Sequence, residues 1–338
     1  MATTYDFIAQ NKRRTWLLVL LFPITFALLG YLFLLGYSYF EKEMSYPSDQ
    51  QGYYEVDEDG YASELTLFER ANAIAIVALP IMWCIAMLWM FISYYAGDKM
   101  LLSGAGAIPL SKSQQPEIYR LVENLCISVG LPLPRIYVIQ DDSLNAFATG
   151  RDPEHASVAL TTGIISRLER AELEGVIAHE LSHIRNRDIR LMLIAVAGIS
   201  FFTFLAELCF RAALRSGRSS RGKGNGRLLL FLLGIVFAIY GYLIAPLIRL
   251  AISRTREYQA DATGALMTRN PEGLARALEK ISADPRVEVL DSHASMAAMC
   301  IANPLSKMGL FAEIAGLFST HPPTEKRIAK LRAMNRIN

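Results

Sequence analysis

Four long apolar runs divide this chain and limit what it can fold into. Thr15 to Phe40, Ala71 to Gly97 and Leu228 to Ile248 contain no charged residue, and Leu191 to Phe210 contains only Glu207. A helix rises about 1.5 Å per residue, so about 20 apolar residues cross a hydrocarbon layer of about 30 Å. With 52% hydrophobic residues and a mean hydropathy of +0.26, this 338-residue chain is more apolar than a soluble protein of its size. Its net charge of +2 is near balance and gives no reason to expect a nucleic-acid partner.

The flanks of the runs suggest an orientation. Residues 1–14 end in Lys12, Arg13 and Arg14, and Trp16 and the pair Tyr37 and Tyr39 mark the two ends of the first run, 15–40. That run is too long for a cleavable signal and has no A-x-A site at its end, so it reads as an uncleaved anchor. Residues 41–70 carry nine carboxylates against Lys42 and Arg70, which fits an acidic external loop, with the second run at 71–97 returning the chain. The positive-inside rule then puts the N-terminus in the cytoplasm and the soluble block 98–190 on the same side. Residues 191–248 are an apolar helical pair around a basic loop, with Arg211, Arg215, Arg218, Arg221, Lys223 and Arg227. A basic loop outside contradicts that rule, so the pair either spans as a hairpin or dips in and packs on the first two helices. A second soluble block fills 249–338.

The first soluble block has its own periodicities. Ile118, Leu121, Val122, Leu125, Cys126 and Val129 recur at helical spacing between Pro116 and Gly130. Extended segments are expected at Arg135–Gln140, Asn145–Gly150 and His155–Thr162, followed by a helix from near Arg167. In the second block, Asn270-Pro271-Glu272 caps a helix ending near Ile281, and a short helix carries Ile328 and Leu331. Cys84, Cys126, Cys209 and Cys300 form no CxxC pair and read as buried free thiols.

The chemistry is concentrated in Arg170–Asp188. His179 and His183 stand four apart, so on a helix both imidazoles face one metal ion, and Glu180 beside them can act on a metal-bound water. Leu173, Val176, Ile177, Leu181 and Ile184 form one apolar stripe, and Glu180 falls inside it. A carboxylate among core positions is costly unless it is paired or hydrogen-bonded. Gly175, one turn before His179, leaves space where a ligand could approach. A catalytic zinc needs a third protein ligand and an open position. His155, His293 and His321 are available, but Glu257 is the better candidate. Glu257 and Asp261 repel each other at i and i+4 unless a cation intervenes, and Asp261 would then hydrogen-bond a ligating imidazole. The competing reading is a solvated helix whose acids pair with Arg254 and Arg256.

These motifs carry a resemblance over nearly the whole chain. His179-Glu-Leu-Ser-His183, Ser253-Arg-x-Arg-Glu-Tyr-x-Ala-Asp261, Ser319-Thr-His-Pro-Pro-x-x-x-Arg327 and Asn145-Ala-Phe-Ala-Thr-Gly150 resemble the signatures of HtpX-like membrane zinc endopeptidases, relatives of the CAAX prenyl endopeptidases. The resemblance implies a mainly α fold with a small β-sheet. It would be a gluzincin-type metalloprotease domain held by up to four transmembrane helices, with the catalytic domain split between 98–190 and 249–338. It implies one Zn2+ per chain on His179, His183 and Glu257, with Glu180 as base, Asp261 orienting His179, and His321 as an added oxyanion donor. It places His321 and Arg327 near the bound peptide and the substrate edge in Asn145 to Thr161, beginning with Asn145 and Ala146. A peptide would add as a strand along Ala156 to Leu160. The implied role is cleavage of misfolded or damaged membrane proteins, as unfolded or membrane-protein segments, at the cytoplasmic face of the bacterial inner membrane.

Two rivals are weaker. An intramembrane protease would bury the motif in lipid, but Arg167, Glu169, Arg170, Glu172 and Glu174 precede it and Arg185, Arg187 and Asp188 follow. A membrane scaffold or transporter with a structural zinc site would need four ligands and would have no use for Glu180.

Overall fold

The computed structural model describes residues 4–45, 67–216, 224–251, 254–283 and 322–335. The chain forms two compact units, Leu17–Phe91 and the combination of Met1–Trp16 with Ile92–Asn338. The first unit holds the apolar parts of α1 (Thr4–Ser45) and α2 (Leu67–Gly104), joined by the Tyr31 hydroxyl donating to Asn72 Oδ1 at 2.8 Å. Leu20, Ile76 and Phe91 point outward and are exposed, which suits lipid better than water.

Among the described residues, three helical stretches are long and apolar enough to cross a membrane: Ala9–Ser38, Ala71–Gly104 and Asp188–Arg215. The last lies in α6 (Asp188–Ser216), which is followed by α7 (Gly224–Ala251), whose apolar part over the described residues, Arg227–Gly241, is shorter. Phe210 stacks near Phe231 and Phe202 near Tyr240, so later residues of α7 meet earlier residues of α6 and the pair is antiparallel. Glu207, the one charge inside the third run, pairs with Arg211 one turn on. It lies about 28 Å along the helix from Asp188, near the far end, where a charge costs least.

The second unit is built on a four-stranded sheet in the order β1-β2-β4-β3. β1 (Ala107–Pro109) and β3 (Ala146–Gly150) run antiparallel to their neighbours, and β2 (Arg135–Ile139) and β4 (Ala156–Thr161) run parallel to each other. Alternation sends Ile136, Ala146, Ala148, Val158 and Leu160 into one core with α3 (Pro116–Val129) and α5 (Arg170–Arg185). The other face, with Ile139, Phe147 and Ala159, packs on Leu101 and Leu102 of α2 and Leu193 and Val196 of α6. The sheet is therefore covered on one side by the metal-motif helix and on the other by the ends of two apolar helices.

Most of the expected elements form near their expected places. α3 opens at Pro116 and closes with Gly130 at φ 66°, a left-handed cap that glycine adopts without strain. β1 and the short α4 (Thr162–Arg167) were not anticipated, and α5 starts at Arg170 rather than near Arg167 because Leu168 is extended between them. α8 (Arg254–Thr268), α9 (Pro271–Ala283) and α10 (Thr324–Asn335) complete the described chain, and Asn270 Oδ1 caps α9 by accepting from Gly273 N at 3.1 Å. Cys126 and Cys209 are buried free thiols, and burial pushes Cys126 up to about 11. Cys84 is free but exposed, against expectation, because it lies on the outward face of α2. Cys300 lies outside the described residues.

Candidate metal centre

α5 starts with the Glu169 backbone N–H donating to Glu172 Oε2 at 2.9 Å. Glu172 is itself buried and reaches Lys280 of α9 at 2.7 Å, which fastens the first turn of α5 to α9. The expected stripe of Leu173, Val176, Ile177, Leu181 and Ile184 is buried, and so are His179 and Glu180. Gly175 does not leave room for a ligand, contrary to the reading of its spacing. A Cβ there would lie 2.8 Å from Leu274 N, so the glycine lets α9 close onto α5. Gly264 does the same for α8: a Cβ there would stand 3.0 Å from His179 N. That close crossing carries Asp261 and Glu257, one and two turns earlier on the same face of α8, up to the histidines.

His179 Nε2 and His183 Nε2 are 3.2 Å apart, Glu257 Oε2 is 3.8 Å from the first and Glu257 Oε1 is 3.7 Å from the second. The three residues offer ligand atoms that all lie within 4.8 Å of one another. Ligands held about 2.1 Å from a tetrahedral ion stand about 3.4 Å from each other, so one ion fits this spacing. Among the described residues this is the one such group.

The backing of the ligands points the same way. Asp261 Oδ1 lies 3.0 Å from His179 Nδ1, although the ring N–H is off-line for a full hydrogen bond, and Asp188 Oδ2 lies 3.0 Å from His183 Nδ1. A carboxylate at each Nδ1 holds the proton there and leaves both Nε2 lone pairs directed at the shared point. Burial alone would lower His183, but the Asp188 bond and the charges of Glu257 and Glu180 outweigh it and push the imidazole up to about 9. Negative charge of that strength in a buried place suits a cation.

Asp261 is in turn gripped by Arg327 of α10, Nε to Oδ2 at 2.8 Å and Nη2 to Oδ1 at 2.7 Å. Burial opposes the charge on Asp261, yet the guanidinium holds its carboxyl down at about 2. Arg327 is buried behind the histidine and pairs there with Asp261. Arg256 does not pair with the α8 acids but with Asp188 and Asn11, at 3.2 and 3.1 Å.

The remaining sequence candidates fall elsewhere. His155 is in the β3–β4 turn, 2.6 Å from Asp152, away from the three ligands. His293 and His321 lie outside the described residues. Ala146 opens β3 with Asn145 just before it, and Asn145 Nδ2 is buried without a partner among the described residues. β4 cannot accept an added peptide strand, because both of its edges are already paired, to β2 and to β3.

Sequence reasoning missed Asp188 as a partner of His183. It lies five residues on, beyond a turn in which Arg187 takes φ 59°. That left-handed residue, costing about 1–2 kcal/mol, ends α5 and starts α6. Only the break between the motif and the apolar run hinted at it.

The family model for peptidase family M48 matches residues 112–335. A protein called "Protease HtpX homolog" from Bacteroides fragilis is 40% identical over 326 residues, 96% of each chain. Another of that name, from Syntrophobacter fumaroxidans, is 47% identical over 244 residues, 72% of this chain and 84% of its own. The crystal structure of S. mikatae Ste24p aligns at a TM-score of 0.45 and 19% identity, over 79% of this chain and 61% of that one.

Proposed function

The chain belongs to peptidase family M48 as a homologue of the HtpX proteases, and from that premise we propose that it is a zinc-dependent endopeptidase working at the cytoplasmic face of a bacterial inner membrane. The observation that carries this is the buried convergence of His179, His183 and Glu257 beside Glu180. Two imidazoles and one carboxylate are a ligand set of hydrolytic zinc, and three protein ligands leave a position open. One Zn2+ per chain is proposed. Bound there, it supplies Lewis acidity and lowers the pKa of water.

The chain's own groups do the rest. Glu180 takes the proton of the attacking water and delivers it to the leaving amine. Asp261 and Asp188 keep His179 and His183 turned with Nε2 inward. Arg327 holds Asp261 in place, and its positive charge is proposed to favour the oxygen on which a scissile carbonyl gains negative charge. His321 is proposed as a further donor to that oxygen. The peptide is proposed to meet Asn145, whose buried Nδ2 offers a donor, and Ala146 on β3, which like β1 is paired on one side only among the described strands. All five β3 residues are buried, so a peptide joins this edge by displacing what covers it.

One contact supports the proposed orientation. Asn11 Nδ2 donates to Asp188 Oδ1 at 2.6 Å, so the Lys12–Arg14 cluster and the histidines share one side. A basic flank marks the cytoplasm. The antiparallel α6 and α7 return the chain to that side, as a ligand set split between α5 and α8 requires. Unfolded or membrane-protein segments are the proposed substrates, and membrane protein quality control the proposed role. Metal content and casein cleavage by the detergent-purified chain, with and without chelator, test this. The reading requires about one zinc per chain and chelator-sensitive cleavage; metal-free protein that cleaves equally well would refute it.

A further inference from the structure

Asn11 is an odd residue to bury at the start of an apolar helix. It is 1% exposed and lies just before Lys12, inside the stretch Ala9–Ser38. A buried amide is tolerated when its donors and acceptor are used, and here all are. Nδ2 donates to Asp188 Oδ1 at 2.6 Å and to the Asn186 carbonyl at 3.0 Å, while Oδ1 accepts from Arg256 Nη1 at 3.1 Å. Arg256 Nη1 also reaches Asp188 Oδ1, at a longer 3.2 Å. The other oxygen of that carboxylate, Oδ2, faces His183 Nδ1 at 3.0 Å. Segments 177 and 68 residues away from Asp188 thus meet on the carboxylate that backs His183.

The geometry points to Asn11 as a positioning residue of the metal centre, which sets the rotation of the Asp188 carboxylate and through it the direction of His183 Nε2. The inference rests on the reading of His183 as a metal ligand. Asn11 is neutral, so it fixes Asp188 without cancelling the charge that polarises the imidazole. With Asn11 gone, Arg256 is the remaining donor on Oδ1 and draws the carboxylate toward itself. The cytoplasmic end of the first membrane helix is therefore part of the site, and the ligand set is complete only when that end is seated. Anchoring and metal loading become linked.

A purely structural role for Asn11, fastening α1, predicts something different. Thr15 lies one turn on, is also buried, and donates to the Asn11 carbonyl at 2.8 Å without touching Asp188. The test uses the full chain in detergent micelles. Zinc affinity is read by competition with a chromophoric chelator, and ligand geometry by the visible spectrum of the Co2+-loaded protein. Asn11→Leu removes every bond of the amide at similar volume, and Thr15→Val loosens the same helix end. Asn11→Leu is expected to weaken zinc about tenfold, the lower end for outer partners of ligands, and to shift the Co2+ spectrum, whereas Thr15→Val changes neither. Should Asn11→Leu fail to purify, Asn11→Ser is measured in the same way with the same expectation. Wild-type affinity and spectrum in the Asn11 variant, or an equal loss in Thr15→Val, overturns the inference. A wild-type chain that binds no zinc instead overturns the reading of His183 on which it rests.

Discussion

Arg327 grips both carboxylate oxygens of Asp261, at 2.8 and 2.7 Å, directly behind His179. The second soluble block therefore contributes the backing of the first histidine as well as the proposed third ligand. Removing Arg327 leaves a buried carboxylate uncompensated, which costs about 3–5 kcal/mol. Arg327→Met should lower the thermal midpoint in detergent strongly, and it should weaken zinc retention because Asp261 no longer holds its place. A midpoint equal to wild type contradicts the pairing.

The same pair sets an acid limit. Asp261 ionises at about 2 rather than at the ordinary 3.8. Its contribution to stability is complete above 3.8 and is lost as the pH falls toward 2. Arg327→Met removes the cause of that depression, so the loss of the stability that Asp261 contributes between pH 3.8 and 2 should be absent from it. The stability difference from wild type should then shrink as the pH falls through this window. Tryptophan fluorescence between pH 7 and pH 2 reads the difference.

Metal binding should carry a proton with it. His183 is held up at about 9 in the metal-free chain, but it must be neutral to ligate. Binding at pH 7 then releases about one proton from this residue, and affinity rises with pH until about 9. Asp188→Asn takes away the main support of the charged form. It should lower both the proton release and, by about 10–100-fold, the affinity. Calorimetry in buffers of different ionisation enthalpy measures both.

The two close-approach glycines should separate stability from metal binding. Gly175→Ala meets the backbone of Leu274 at 2.8 Å and should cost about 1–3 kcal/mol while leaving zinc affinity near wild type. Gly264→Ala presses on His179 N at 3.0 Å and moves the helix that carries Glu257. Its zinc affinity should fall more than its stability does. Equal behaviour of the two variants contradicts this account of the crossing.

If the peptide uses the Asn145 donor, Asn145→Ala should raise KM for a casein peptide with zinc content unchanged. An unchanged KM would contradict this use of the Asn145 amide.

What the sequence revealed of this site was whatever local spacing encodes. Two histidines on one face, a carboxylate inside an apolar stripe, and Glu257 with Asp261 one turn apart all follow from the 3.6-residue period. What it concealed depends on which surfaces meet. Gly175 looked like space for a ligand because nothing in the spacing shows that Leu274 fills it. The β4 edge looked open because strand order is not a local property: its parallel partner β2 is its neighbour in the sheet although β3 separates the two in sequence. Arg256 looked like a partner for the α8 acids next to it, but it turns to Asp188 and Asn11. The membrane segments were legible from composition, while the seating of Asn11 was not.

The central claim is that His179, His183 and Glu257 hold zinc while Glu180, free of ligand duty, moves the proton. Glu180→Gln tests it most directly, because the amide keeps the shape and removes the base. Purified in detergent, this variant should retain about one zinc per chain and lose casein cleavage by at least about two orders of magnitude. Cleavage at the wild-type rate with zinc bound, or loss of the zinc itself, would contradict the account.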